Sequence, residues 1–334
     1  MTQIVYGNVN DEKTVLSLFP EGAVAVVSDE TVAGLYAEQV CLSLQKNGRK
    51  ASLFTFPGGE LSKTRATKER LEDRLLSEGF GSDTCVAAIG GGVVTDLAGF
   101  TASTYCRGVP IVMIPTTLLA MVDASLGGKN GVNTPRGKNL IGTIYQPKAV
   151  LIDPSVLRTL PPSELKNGIA EMIKHGIIAD ESYVSFLESH VSQLLALEAQ
   201  TLAHGIAVSC RIKNQLIEEG RRPLLNFGHT VAHALERLSG YTLAHGQAVA
   251  IGMVAEGRIA VERSAFPERA YERLGSLISA YGFPHHHPYD ASELWKAMVP
   301  DKKSQHGIPY IVVPTDVGTA CANNLAVETE TLLR

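Results

Sequence analysis

The sequence predicts a two-part chain: an α/β amino-terminal domain on a parallel sheet over 1–160, then a mostly α-helical carboxyl-terminal domain over 161–334. Three observations carry this expectation. Over the first 150 residues, short β-branched runs alternate with helix-length amphipathic segments, as in a parallel sheet covered by helices. At Pro161 and Pro162 the pattern stops, because proline cannot continue a strand ladder, and Ser163 offers a helix N-cap. Beyond them β-branched runs nearly vanish and helical periodicity dominates.

AVAVVSD (23–29) reads as the first strand, followed by a helix that ends at Gly48. KASLFTF (50–56) is the next strand, and KTRATKERLEDRLLSEGF a charged surface helix. CVAAIGGG (85–92) is a buried strand running into a glycine turn; VPIVMIPT (109–116) and KAVLIDP (148–154) are two more. In the second half SELKNGIAEMIKHGII, the long stretch from ESYVSF to KNQLIEE, GHTVAHALERLSG and GQAVAIGMVAEGRIAVERSAF read as helices. IPYIVVP (308–314) reads as a late strand. His285, His286 and His287 lie between prolines and read as a solvated loop, since adjacent histidines cannot all face one ion.

Composition narrows the function classes. The 334 residues suffice for two domains with cores, and 45% hydrophobic with 19% charged residues is ordinary for a globular protein. A net charge of −4 without a basic run argues against nucleic acid or an anionic membrane as partner. Cys41, Cys85, Cys106, Cys210 and Cys321 are odd in number and show no CxxC spacing, which fits a reducing compartment. MTQIVYGNVNDEK shows no signal-peptide pattern and no apolar stretch reaches transmembrane length, so the expectation is a cytoplasmic protein.

Two constellations point to chemistry. GGGVVTD, Gly90 to Asp96, follows a strand, where glycines let backbone N–H groups approach a pyrophosphate at a helix amino terminus. It is not GxGxxG, and a tight turn explains it as well. Asp29 ends the first strand and is either a ribose acceptor or a helix N-cap. In the second half Glu171, His229 and His245 are of metal-ligating type, and one carboxylate with two imidazoles is the composition of an open, catalytic zinc site. Spacing alone leaves this undecided. His229 and His233, four apart, also suit a core pair, and Glu171, Lys174 and His175 a solvated helix face. Among the scattered cations, those in GGKNGVN and RGKNLIG suit anion-binding loops.

Read together, GGGVVTDLAGF, YCRGVPIVMIPTTLLAMVDASLGGKNGVN, RGKNLIGTIYQP, LRTLP, AEMIKHG, LLNFGHTVAHALE, HGQAVAIGM and DKK, in this order from about Asp29 to Lys303, resemble the 3-dehydroquinate synthase family of the sugar-phosphate cyclases. The resemblance implies a Rossmann-like amino domain and a helical carboxyl domain, with the active site in the interdomain cleft. It implies zinc or cobalt on Glu171, His229 and His245. It implies NAD at Asp29, Glu60, Lys63, Gly91, Gly92, Val93, Asp96, Thr116, Thr117, Lys138 and Thr159. The substrate would meet Asp123, Lys129, Asn139, Lys174, Lys213, Arg222, Asn226, His233 and Lys302 or Lys303 of DKK. Arg107 would reach into the partner's site of a homodimer. Two departures stand out: the segment at 213–222 is shorter than the family's, and Ala124 replaces a usual serine.

The implied reaction takes 3-deoxy-D-arabino-heptulosonate 7-phosphate to 3-dehydroquinate and phosphate, within the shikimate pathway. It would run by transient oxidation by NAD, phosphate elimination, reduction and aldol closure, with His233 shuttling protons. Its rivals are a sister cyclase such as 2-deoxy-scyllo-inosose synthase, a polyol dehydrogenase of the glycerol dehydrogenase type, and a non-catalytic binding protein. The dehydrogenase would release NADH and would need no phosphate loops.

Overall fold

The computed structural model describes residues 2–299 and 308–327. The chain divides into two compact units, Met1–Leu160 and Pro161–Arg334. Among the described residues no helix is long and apolar enough to cross a membrane.

In the first unit the strands are β1 (Gln3–Tyr6), β2 (Val24–Asp29), β3 (Ala51–Phe56), β4 (Cys85–Gly90), β5 (Ile111–Pro115), the pair β6 (Lys129–Thr134) and β7 (Gly137–Ile144), and β8 (Ala149–Ile152). Six of them form a parallel sheet in the order β1-β8-β5-β4-β2-β3. Apart from Asp29, strands β2, β4, β5 and β8 are buried along their length, which is why they read as unbroken apolar runs. The helices are α1 (Glu12–Leu18), α2 (Glu30–Val32), α3 (Glu38–Lys46), α4 (Arg65–Ser77) and α5 (Gly92–Thr104). One wide π turn, Ala33–Ala37, joins α2 to α3, so the helix expected there is continuous but not uniform.

The strand order positions the ligand end. The chain leaves β2 on one side for β3 and returns to its other side for β4. Such a reversal opens a crevice at the carboxyl ends of the two strands. Those ends are Asp29 and Gly90.

Two features depart from expectation. β1 adds an edge strand that its short mixed sequence did not signal. GGKNGVN and RGKNLIG, read as loops, instead supply β6 and β7, an antiparallel pair with Gly131 opposite Gly142. A Cβ on Gly142 would lie 2.0 Å from the Asn130 carbonyl oxygen, and one on Gly131 2.4 Å from that of Ile141. The glycines therefore serve close backbone approach within a ladder rather than loop freedom.

The second unit contains α6 (Pro162–Ala179), α7 (Glu181–Ser189), α8 (Val191–Leu195), α9 (Ala199–Glu218), α10 (His229–Leu238), α11 (His245–Glu262), α12 (Glu268–Ala280) and α13 (Ala291–Met298). An antiparallel pair follows, β9 (Tyr310–Asp316) with β10 (Thr319–Ala326). α6 is capped by Pro161 with Pro162 at its first position, not by Ser163, because proline's fixed φ already matches a helix start. The long helix read from ESYVSF onward is three: it breaks at His190 and again at Leu197, whose φ is +56°, after which Glu198 caps α9. The three adjacent histidines lie outside any helix or strand, with His285 Nε2 2.8 Å from the Ser279 hydroxyl.

Candidate functional site

Three helices of the second unit converge on Glu171. It lies on α6, a helix buried along most of its length, and is itself fully buried. A carboxylate so placed is costly unless paired. Lys174, one turn further and equally buried, pairs with its Oε2. Oε1 accepts no hydrogen bond among the described residues. Instead it faces His229 Nε2 at 3.4 Å and His245 Nε2 at 3.5 Å. Atoms bound about 2.0–2.1 Å from a tetrahedral zinc stand about 3.3–3.4 Å apart. The three atoms, all within 4.8 Å of one another, thus have the spacing and chemistry of a divalent-metal site.

Both imidazoles are turned by what their other nitrogen meets. His229 Nδ1 lies 3.1 Å from the Phe227 carbonyl, which can only accept, so Nδ1 donates there and Nε2 is the nitrogen turned toward Glu171. His245 Nδ1 lies 3.5 Å from Glu236 Oε1. Burial alone would lower the His245 pKa, but Glu171 and Glu236 on its two sides outweigh it and push the imidazole up to about 10. Burial would likewise raise the Glu171 carboxyl, yet the Lys174 ammonium and His245 hold it well below the usual carboxylate range. A positive charge between these carboxylates, proton or metal, is what the surroundings stabilise.

The helices carrying the histidines are locked by buried polar groups. Gly228, at φ +78°, caps α10, and a Cβ on Gly252 of α11 would lie 2.0 Å from its carbonyl oxygen. That contact lets Glu256 of α11, fully buried, cap α10 from outside the helix: it accepts from the N–H groups of Gly228 at 2.8 Å, Thr230 at 3.0 Å and Val231 at 3.2 Å. These are orphan donors of the turn that bears His229. The start of α11 is held by Asn167 of α6, whose Oδ1 accepts from Gly246 N–H at 2.7 Å. Asn167, Glu236 and Glu256 were not singled out from sequence. Their one signal was a polar residue on an otherwise apolar helix face.

Around this centre, His233 packs its ring edge-on against His229 at 5.6 Å. Lys213 is buried on α9. Arg222 and Asn226 bound a single 3-10 turn after α9, where the Asn226 amide donates to the Pro223 carbonyl at 3.0 Å. The solvated-face reading of Glu171, Lys174 and His175 does not hold: all three are buried, with His175 Nδ1 2.8 Å from the Ser209 hydroxyl. Lys302 and Lys303 lie outside the described residues.

In the first unit the glycine turn sits where the strand order predicts. Gly91 caps α5 without a side-chain hydrogen bond to the first N–H groups of that helix. Thr117 flanks the turn: a Cβ on Gly91 would lie 3.0 Å from its Cγ2. Gly91, Gly92 and Val93 are partly exposed at this end of an otherwise mostly buried helix. The cradle suits a pyrophosphate. Lys63, buried, and Asp96, partly buried, were named separately from sequence and form an ion pair; desolvation raises the Asp96 carboxyl even with Lys63 beside it. Glu60 Oε1 accepts from the amide of Asn133, a residue not singled out, at 2.7 Å. Thr116 N–H donates to Gly90 at 3.0 Å, joining β5 to the turn.

Other first-unit residues serve local structure as well. Asp29 is the N-cap of α2, its Oδ1 accepting from Thr31 and Val32, both at 2.9 Å. Thr159 meets the Tyr36 hydroxyl at 2.9 Å. Asp123 lies in the π-helical turn Ala120–Ala124. Lys129 opens β6, while Lys138 and Asn139 (φ +55°) lie at the start of β7. Arg107 is exposed in a turn where it and Cys106 adopt φ of +70° and +48°. It follows the far end of α5, about 18 Å along the helix from the glycine turn.

Comparison with known proteins adds the lineage. Residues 53–167 match the family model described as 3-dehydroquinate synthase N-terminal, and 168–304 that described as 3-dehydroquinate synthase C-terminal. A 3-dehydroquinate synthase of Pelobacter propionicus is 43% identical over 314 residues, covering 92% of this chain and 88% of the relative. Among solved structures, 2-epi-5-epi-valiolone synthase from Streptomyces hygroscopicus, with NAD⁺ and Zn²⁺ bound, superposes with a TM-score of 0.90 at 27% identity, over 99% of this chain and 94% of its own. A 2-deoxy-scyllo-inosose synthase complexed with carbaglucose-6-phosphate, NAD⁺ and Co²⁺ gives 0.89 at 25%, over 98% and 94%.

Proposed function

The chain belongs to the 3-dehydroquinate synthase family, and from that premise we propose how its residues divide the conversion of 3-deoxy-D-arabino-heptulosonate 7-phosphate into 3-dehydroquinate and phosphate. The supporting observation is the Glu171 oxygen that faces two imidazole Nε2 atoms at zinc-edge spacing. Zinc or cobalt held by Glu171, His229 and His245 supplies a Lewis acid, and NAD held at the glycine turn supplies a reversible hydride acceptor.

The protein's own groups do the rest. Lys174 neutralises Glu171 Oε2 and leaves Oε1 to face the histidines. Gly91, Gly92 and Val93 offer backbone N–H groups to the cofactor's phosphates, beside Thr116, Thr117 and the Lys63–Asp96 pair. Asp29, Glu60, Lys138 and Thr159 complete the cofactor contacts. Lys129, Asn139, Lys213, Arg222, Asn226 and a lysine of DKK hold the substrate's carboxylate and phosphate, with Asp123 orienting a hydroxyl. His233, packed edge-on against the ligand His229, takes and returns the proton of the hydroxyl that is transiently oxidised. Five cysteines that remain thiols suit a reducing cytoplasm.

The test is one assay. With the heptulosonate phosphate and NAD⁺ far below the substrate concentration, phosphate and dehydroquinate should form in equal amounts with no lasting rise of NADH absorbance. NADH accumulating in step with product would instead establish the dehydrogenase reading.

Arg107 serves the phosphate site of a second subunit in a homodimer, being exposed and too far along α5 to serve the turn of its own unit. Arg107→Ala should lower catalytic efficiency about ten- to a hundredfold with zinc content unchanged. Mixed with Glu171→Ala subunits it should regain activity, because one hybrid site then has both groups. No rescue in verified mixed dimers would sink the shared site.

A further inference from the structure

We propose that Glu236 is a positioning residue for the metal ligand His245, an inference that rests on the reading of Glu171, His229 and His245 as a metal site. Glu236 lies near the end of α10 and is 4% exposed, a placement that a glutamate rarely adopts without a partner to satisfy it. Its Oε1 stands 3.5 Å from His245 Nδ1 while the opposite nitrogen, Nε2, stands 3.5 Å from Glu171 Oε1. The imidazole is thus held between two buried carboxylates, one on each ring nitrogen.

The chemistry of the two nitrogens follows. An ionised carboxylate only accepts, so Nδ1 keeps its proton toward Glu236, and Nε2, beside Glu171, is the nitrogen that would exchange its proton for the metal. A ligating imidazole whose other N–H meets a carboxylate has a fixed ring plane and is a stronger donor. His245 is the first residue of α11, so no earlier turn of its own helix flanks the ring. Asn167 fixes the backbone one residue later through Gly246 N–H, but nothing in that bond sets the ring. For His229 the corresponding task falls to the Phe227 carbonyl. α10 therefore supplies one ligand, His229, and seven residues later the group that aims the other.

The test compares wild type, Glu236→Gln and Glu236→Ala by zinc affinity, from competition with a chromophoric chelator, and by the visible absorption of the cobalt-loaded proteins. Glu236→Ala should bind zinc about ten- to a hundredfold more weakly, with shifted cobalt bands. Glu236→Gln keeps the volume and an acceptor oxygen for Nδ1, so it should fall between the two, which a merely space-filling role would not produce. Wild-type affinity and an unshifted cobalt spectrum in a folded Glu236→Ala protein overturn the inference. Should that variant fail to fold, Glu236→Gln with affinity within twofold of wild type and unshifted bands overturns it. Failure of wild type itself to bind zinc or cobalt would instead remove the metal reading on which the proposal rests.

Discussion

Glu171→Gln should lose tight zinc binding and fall at least a thousandfold in turnover, the largest effect expected of any single substitution here. The amide removes the charged ligand atom between His229 and His245, and metal-supplied charge stabilisation is worth several kcal/mol, about 4 of which make three decades in rate. A second effect is on the fold. Lys174 is as buried as Glu171, and removing one partner of a buried pair costs about 3–5 kcal/mol. The double variant Glu171→Gln/Lys174→Met, which removes both charges, should recover most of the thermal midpoint and none of the zinc affinity. Chelation of wild type should give the same loss of activity without covalent change, restored by zinc or cobalt. Elemental analysis beside the assay decides it: full turnover in metal-free protein would refute the site.

Gly252→Ala should be among the most damaging small substitutions. The added methyl would lie 2.0 Å from the Gly228 carbonyl oxygen and 3.1 Å from the Ala232 nitrogen, both backbone atoms that cannot swing aside. The start of α10 must then move off α11, and the three bonds from Glu256 to Gly228, Thr230 and Val231 stretch together. Overpacking typically costs about 1–3 kcal/mol, and here the moved turn carries His229. Stability and zinc affinity should fall together, read by denaturant titration of the metal-free protein and by chelator competition. Gly34→Ala is the control: its methyl meets nothing within 4 Å, so neither quantity should fall. Unchanged zinc affinity in Gly252→Ala would show that the helix contact does not set the ligands.

The candidate site was legible in sequence where function demands a residue type. Glycines at a strand end, one glutamate and two histidines are of the right types, but each alone had a structural reading too, and it was their joint order in the motifs that identified the family. Partners were less legible. Lys63 and Asp96 were each expected to contact the cofactor, but their mutual pairing joins residues 33 apart. Asp29 had two readings, and its bonds to Thr31 and Val32 show the capping one in the fold. GGKNGVN and RGKNLIG misled because glycine content does not distinguish a free loop from two backbones in close contact.

What the sequence by itself determined is the alternation that makes the first unit a parallel sheet and the helical period that dominates the second. Both follow from local rules: a buried parallel strand is an unbroken apolar run, and a helix buries one stripe at 3.6-residue spacing. Only the tertiary structure decided that Glu171, His229 and His245 face one another, and that Asn167, Glu236 and Glu256 hold them. Those polar groups come from three helices separated by tens of residues. Burial makes each depend on a partner that no local window contains, because a carboxylate out of water is tolerable only where another element brings it a donor or a charge.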